Sequence, residues 1–177
     1  KMIEIRKGTL ADVPRTAEIY EHILDKEEAG MTATGWIRGV YPTEETAREA
    51  AEAGELFVLS ENGITAAVAR INRIQAPGYE DADWEYPDAP EDEVMVLHTL
   101  VVDPVFAGKG YGTRFVRFYE QYAAENGCLY LRMDTNASNQ AARGLYGHLG
   151  YREAGIVACE FNGIPGVRLV CLEKTLK

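Results

Sequence analysis

Residues 105–113 read Val105-Phe106-Ala107-Gly108-Lys109-Gly110-Tyr111-Gly112-Thr113. Three glycines alternate with other residues, shortly after the apolar run V-M-V-L-H-T-L-V-V at 94–102 and just before a helical pattern. Glycine has no Cβ, so the backbone can turn sharply and a ligand can come close to it. Such a loop at the start of a helix aims several unpaired N–H groups and the positive end of the helix dipole at one point. That point suits an anion, above all a phosphate or pyrophosphate. The plain alternative is a tight strand-to-helix turn. A dinucleotide site is a third reading, with Asp134 placed about twenty residues on, where a ribose-binding acid belongs. Two details oppose it. Thr113 stands where G-x-G-x-x-G needs its last glycine, and residues 103–107 separate the strand from the loop.

Outward from this loop, pattern and punctuation predict the other elements. Met2–Arg6 reads as a strand. A capping box at Thr9–Asp12 opens a helix that runs to about Lys26. Pro42-Thr43-Glu44-Glu45 opens a short helix ending at Gly54. Strands are expected at 55–60 and 64–74 around an Asn62-Gly63 turn, and at 93–102. A helix spans 110–126, a strand 128–133 and a helix 138–149. Strands at 151–161 and 167–174 close the chain around N-G-I-P-G. Helices mixed with an antiparallel meander give an α+β fold with a mixed central sheet flanked by helices. No repeat, low-complexity tract or linker interrupts the chain, so one domain over 1–177 is expected.

A second segment narrows the ligand. Asn139 to Tyr151 reads N-Q-A-A-R-G-L-Y-G-H-L-G-Y. Asn139, Ala142 and Tyr146 lie at i, i+3 and i+7, on one helix face, with Leu145 and Leu149 turned to the core. The order of elements, the glycine loop and this helix resemble the acyl-CoA-binding core of the GNAT N-acetyltransferases over nearly the whole chain. The motif N-x-x-A-x-x-L-Y-x-x-x-G-[FY] is met by Asn139, Ala142, Leu145, Tyr146, Gly150 and Tyr151. The loop pattern Q/R-x-x-G-x-G/A falls on Ala107 to Gly112, with Ala107 in place of the usual Gln or Arg.

The resemblance implies a GNAT fold and acetyl-CoA as co-substrate, with the acetyl group passed directly to a primary amine. Cofactor contacts would come from Leu100, Val101 and Val102 for the pantetheine arm, and from Ala107, Gly108, Lys109, Gly110, Tyr111, Gly112 and Thr113 for the pyrophosphate. Asn139, Ala142 and Tyr146 would complete them. Tyr146 would give a proton to the leaving thiolate. His98 would be the base, because serotonin acetyltransferase-like members carry a histidine there and imidazole titrates near working pH. Alternation places Val96, His98 and Leu100 on one face. Glu93 and Tyr41 are weaker candidates for the base. A backbone N–H at Val101 or Val102 would polarise the thioester carbonyl. A non-catalytic acyl-CoA-binding or sensor module is the alternative from another class.

Composition bounds these readings. The chain has 177 residues, 46% of them apolar, and a net charge of −10, which argues against general nucleic-acid binding. No apolar run is long enough to span a membrane, and K-M-I-E-I-R has no signal-like apolar core. Cys128, Cys159 and Cys171 read as small buried hydrophobes in a reducing compartment, without a metal site. The expectation is a cytoplasmic protein, monomer or homodimer. Gln75 to Glu93 holds eight acids and no base, with Tyr79, Trp84 and Tyr86 among them. This segment is expected either as a solvated insert or as a lid that steers a small cationic amine toward the site. The bend G-W-I-R-G-V-Y-P at 35–42 would form the other wall.

Overall fold

The computed structural model describes all residues, Lys1–Lys177. The chain runs β1 (Ile3–Lys7), α1 (Val13–Glu28), α2 (Glu44–Glu52), β2 (Leu56–Glu61), β3 (Ile64–Asn72), β4 (Val94–Val102), α3 (Tyr111–Glu125), β5 (Tyr130–Asn136), α4 (Gln140–His148), β6 (Arg152–Phe161) and β7 (Ile164–Thr175). One seven-stranded sheet takes them in the order β1-β2-β3-β4-β5-β7-β6. All neighbours are antiparallel except β4 and β5. The sheet is therefore mixed, as the meander followed by a β-α-β crossover requires.

The two faces are covered differently. Alternation along β3, β4 and β5 sends Ala69, Met95, Leu97, Leu131 and Met133 to a core filled by Phe115, Tyr119 and Ala123 of α3 and Leu149 after α4. The opposite face has two covers. Val13, Ile19 and Tyr20 of α1 and Ala47 and Ala50 of α2 pack on Leu56, Val58, Val68 and Val101. Further along, Ala76, Tyr79 and Trp84 pack on Val94, Val96, Leu169 and Cys171.

That second cover corrects the reading of Gln75–Glu93 as a solvated insert. Two of its three aromatic side chains, Tyr79 and Trp84, are consumed by the fold, while Tyr86 stays exposed. Tyr79 is 1% exposed and Trp84 8%. Trp84 Nε1 donates to Tyr79 O at 2.7 Å, and the Arg132 guanidinium stacks 4.2 Å from the Trp84 ring centroid. Burial of two large aromatic rings offsets the entropy of ordering the segment.

Local signals act where the sequence puts them. Thr9 Oγ1 accepts from Ala11 N, and Asp12 accepts from Thr9 N at 2.8 Å, closing the capping box. Asn62-Gly63 makes the β2–β3 turn with both residues at positive φ, 50° and 83°. The final hairpin differs from the expected five-residue connection. Asn162-Gly163 turns alone, Phe161 pairs with Ile164, and Pro165 and Gly166 lie within β7 where the register slips. A bulge accommodates proline inside a strand because the ladder is already broken there.

Candidate functional site

Two irregularities in the middle of the sheet build the site. The first is a bulge. Val68 pairs with Val101 and Arg70 with His98, so Thr99 and Leu100 together oppose Ala69 alone. Thr99 takes φ 51°, the left-handed region that one class of bulge uses. The extra residue overturns the expected alternation. Val96 and His98 still share a face, but Leu100 passes to the α3 side and packs on that core. Val101 then points under α1 and α2.

The second irregularity is a fork. β4 and β5 pair only from Val94–Tyr130 to Leu97–Met133. Beyond this, residues 98–102 have no strand partner on the β5 side. A cavity of about 470 Å³ passes through the opening. Asn139, Ala142, Tyr146 and Leu100 line it from the α3–α4 side. Arg70, Asn72, His98 and Asp134 line it on the α1–α2 side. The helix face of Asn139, Ala142 and Tyr146 thus reaches one end of the cavity. Asn139 Oδ1 caps α4 by accepting from Ala142 N at 3.1 Å, which leaves its amide N–H groups for other acceptors.

The glycine loop lies at the start of α3. Gly108 and Gly110 take φ 80° and 76°, and a Cβ at either would meet no atom within 4 Å. The N–H groups of residues 108–113 have no acceptor in the chain; the nearest bonded ones are Ala107 N to Pro104 O and Arg114 N to Gly110 O. Six free donors at a helix N-terminus form an anion cradle. Side chains contribute less. Lys109 Nζ pairs with Glu61 at 2.9 Å, and the buried Tyr111 donates its hydroxyl to the same carboxylate. At both positions, and at Thr113, the backbone is what the loop presents. Ala107 has already spent its N–H.

Two titratable groups face the cavity beside Tyr146, and their surroundings set their states. His98 Nε2 lies 2.7 Å from Asn72 Oδ1, which also accepts from Ile74 N at 2.9 Å. The imidazole therefore donates from Nε2. Burial, with the Arg70 charge adding to it, pulls its pKa down to about 4. Asp134 moves the other way: burial pushes it up to about 6, against a hydrogen bond from Tyr79 Oη to Oδ2 at 2.6 Å. Burial, and then the Asp134 charge, raise the Tyr146 phenol. Tyr146 is 8% exposed and stays protonated at neutral pH.

Asp134 is the residue that the sequence reading passed over as a candidate base. Its signal was present: a lone acid in the apolar run C-L-Y-L-R-M-D-T, at the carboxyl end of a strand in a parallel pair, where strand order places ligand sites. Of the other candidates, Tyr41 lines the cavity and hydrogen-bonds Thr99 across it. Glu93 lies in a single helical turn before β4 and does not line the cavity. None of the eight acids of 75–93 does so; only Gln75, Ala76 and Pro77 of that segment reach it.

The bend at 35–42 does form a wall. Gly35, Trp36 and Tyr41 line the cavity. Glu27 holds this bend by accepting from Thr32 Oγ1, Thr34 N, Thr34 Oγ1 and Gly35 N at 2.6–3.1 Å. A Cβ at Gly35 would come within 2.5 Å of Asn136 Nδ2, and one at Gly163 within 3.4 Å of Val40. The bend therefore closes over β5 and meets the tip of the β6–β7 hairpin.

Cys128 and Cys171 are buried, Cys159 is half-buried, and all three are free thiols. No helix is long and apolar enough to cross a membrane.

A forked mixed sheet with an anion cradle beside the fork defines an acyl-CoA-type transferase fold. Residues 17–151 match the Acetyltransferase (GNAT) family, and the chain belongs to that family. It is similar to YesJ of Bacillus subtilis (strain 168), named as an uncharacterized N-acetyltransferase, with 28% identity over 114 residues, 63% of this chain and 60% of YesJ. It is also similar to the N-alpha-acetyltransferase RimI of Mycobacterium tuberculosis, with 37% identity over 60 residues, 34% of this chain and 36% of RimI. The matches thus span less than two-thirds of these relatives' lengths. Among solved structures, yncA from Salmonella typhimurium, determined with its cofactor acetyl-CoA, shares the fold at a TM-score of 0.70. The identity is 21%, and the match covers 100% of this chain and 95% of that one.

Proposed function

We propose that this protein transfers the acetyl group of acetyl-CoA directly to the primary amine of a small acceptor. The observation that carries the reading is the fork, which opens the sheet between an anion cradle with Tyr146 on one side and Asp134 on the other. The residues present fit the co-substrate. Six free N–H groups suit a pyrophosphate, the unpartnered edge of β4 from His98 to Val102 suits the amides of a pantetheine arm, and Ala142 leaves room beside it. Acetyl-CoA supplies the activated thioester.

The chain's own groups manage two protons. Asp134, ionised at neutral pH but with its pKa near 6, takes a proton from the acceptor's ammonium as the amine becomes nucleophilic. Tyr146, held protonated by burial, gives its proton to the departing thiolate. Asp134 is favoured over His98 because general-base efficiency follows basicity, and His98 at about 4 is much the weaker base. In this scheme His98 stays neutral. The approach of the 35–42 bend to the tip of the β6–β7 hairpin narrows the acceptor side of the cavity and supports a small acceptor. A small cationic amine also suits the charge of −10.

Thermal shift with acetyl-CoA and with NADH, beside a free-thiol assay on a panel of small amines and peptides, tests the reading. A ligand bound only by the native state at 100 times its Kd adds about 2.7 kcal/mol of stability. Stabilisation by acetyl-CoA and amine-dependent thiol release are expected. A shift with NADH alone overturns the reading, and acetyl-CoA binding without turnover on any amine favours the sensor module.

A further inference from the structure

The cavity floor carries a positive charge, on Arg70, that the proton transfers leave unused. Arg70 of β3 and His98 of β4 are register partners. Leu97 pairs with Met133, so Asp134 lies level with His98 across the fork. All three line the cavity. Across three strands the floor therefore presents a guanidinium, an imidazole and a carboxylate in a row. Paired strands lie about 4.8 Å apart and the fork is wider, which sets the backbones of Arg70 and Asp134 roughly 10 Å apart. The neutral His98 lies between them in the register, and Glu55, beside β2, holds the guanidinium at the far end of this row.

Arg70 is not used up by its ion pair. Its Nε and Nη2 both point at a single oxygen, Glu55 Oε1, each at 2.7 Å. Asn72 Nδ2 donates to the same oxygen at 2.9 Å. Nη1 has no acceptor in the chain. A guanidinium offers five N–H groups in a planar fork, so Glu55 fixes one edge and leaves another open. The side chain is 28% exposed and lines the cavity. The other carboxylate on the cavity wall, Glu49, is exposed on α2, where water and salt screen it. A planar donor edge of this kind is matched by a carboxylate.

We propose that the acceptor is an amino-carboxylate of the α-amino acid type, its amine over Asp134 and its carboxylate on the open edge of Arg70. The proposal rests on the transferase reading of the same site and adds the acidic half of the acceptor to it. A zwitterion meets opposite charges at the two ends of the floor, and a plain cationic amine meets only one.

The test uses L-amino acids of varied side chain, each with its carboxamide and its decarboxylated amine. Transfer is followed by thiol release and product mass. Binding is followed separately by thermal shift in the presence of CoA. A hydrogen-bonded charge pair in a partly buried site is worth about 10- to 100-fold in affinity. The free carboxylate should therefore lead its amide in kcat/KM by that factor. In Arg70→Gln the ratio should fall to about one, with the KM for acetyl-CoA unchanged, and Arg70→Lys should restore part of it. Equal or better use of the amides by the wild type overturns the proposal. So does an Arg70→Gln variant that depresses every acceptor alike, which would mark Arg70 as structural. If no amine is acetylated but the amino acids still bind in an Arg70-dependent way, the transfer reading fails and the carboxylate site stands. If none binds, the site itself is refuted.

Discussion

Replacing Asp134 by asparagine should separate catalysis from stability. Asn keeps an oxygen for the Tyr79 hydroxyl, which lies 2.6 Å from the native Oδ2, so the local packing survives. The base is lost, and general-base work of this kind is worth about 10²–10⁴-fold. In the wild type, kcat/KM should rise with pH through about 6, where Asp134 ionises, and this limb should vanish in Asp134→Asn. Stability moves the other way. The folded pKa of Asp134 lies above its usual 3.8, so the native state holds this proton more tightly than the unfolded chain does. The stability it contributes is fully present below pH 4 and is lost as pH rises through 6. The gap corresponds to roughly 3 kcal/mol. At pH 7 the asparagine variant should therefore melt several degrees higher than the wild type, while at pH 3 the difference should disappear. Steady-state kinetics from pH 5 to 9 and calorimetry at the two pH values read both effects. Retention of the limb near pH 6 in Asp134→Asn would refute the assignment. His98→Gln is the counter-arm: its group titrates near 4, so the limb near 6 should remain, and its loss there would make His98 the base.

Tyr146→Phe keeps the ring in its packed place and removes the proton; kcat should fall about 10²–10⁴-fold with little change in acetyl-CoA affinity, and unchanged turnover would reduce Tyr146 to a packing residue. Gly110→Val places a β-branched residue at φ 76° in the anion cradle, and should abolish most of the acetyl-CoA thermal shift; a full shift in a folded variant would move the pyrophosphate elsewhere. Amides at Glu80, Asp81, Asp83 and Glu85 alter charges that do not line the cavity. Here kcat should hold, while kcat/KM for a cationic amine loses part of its salt dependence; a fall in kcat would show that these acids act at the site itself.

What the sequence made legible was the part governed by local rules. Turn glycines, the capping box at Thr9 and the i, i+3, i+7 face of α4 depend on neighbours within a few residues, and they fall where spacing puts them. What it concealed depends on pairing across the sheet. The bulge at Thr99 is a register fact between β3 and β4, and no property of T or L in V-L-H-T-L-V announces it; once it forms, the simple alternation that put His98 and Leu100 together fails. Trp84 and Tyr79 looked available because acids surround them, yet the sheet face beneath had no helix to cover it, and burying apolar surface outweighed the solubility of their neighbours. Asp134 was visible as an isolated acid, but its raised pKa comes from burial in the assembled sheet, which outweighs the hydrogen bond from Tyr79, 55 residues upstream.

Because the fork pierces the sheet, the two substrates of the proposed reaction are read by separate parts of the chain. The cofactor side draws on 100–113 and 139–146, with tight helical spacing. The acceptor side draws on the 35–42 bend, residues 70–77 and the hairpin tip at 161–164. These two sets share no segment, so a change of acceptor can arise by loop replacement while the acetyl-donor half stays as it is. Such a layout would let one scaffold be re-addressed to new amines by grafting, with Asp134 and Tyr146 standing between the proposed donor port and the proposed acceptor port.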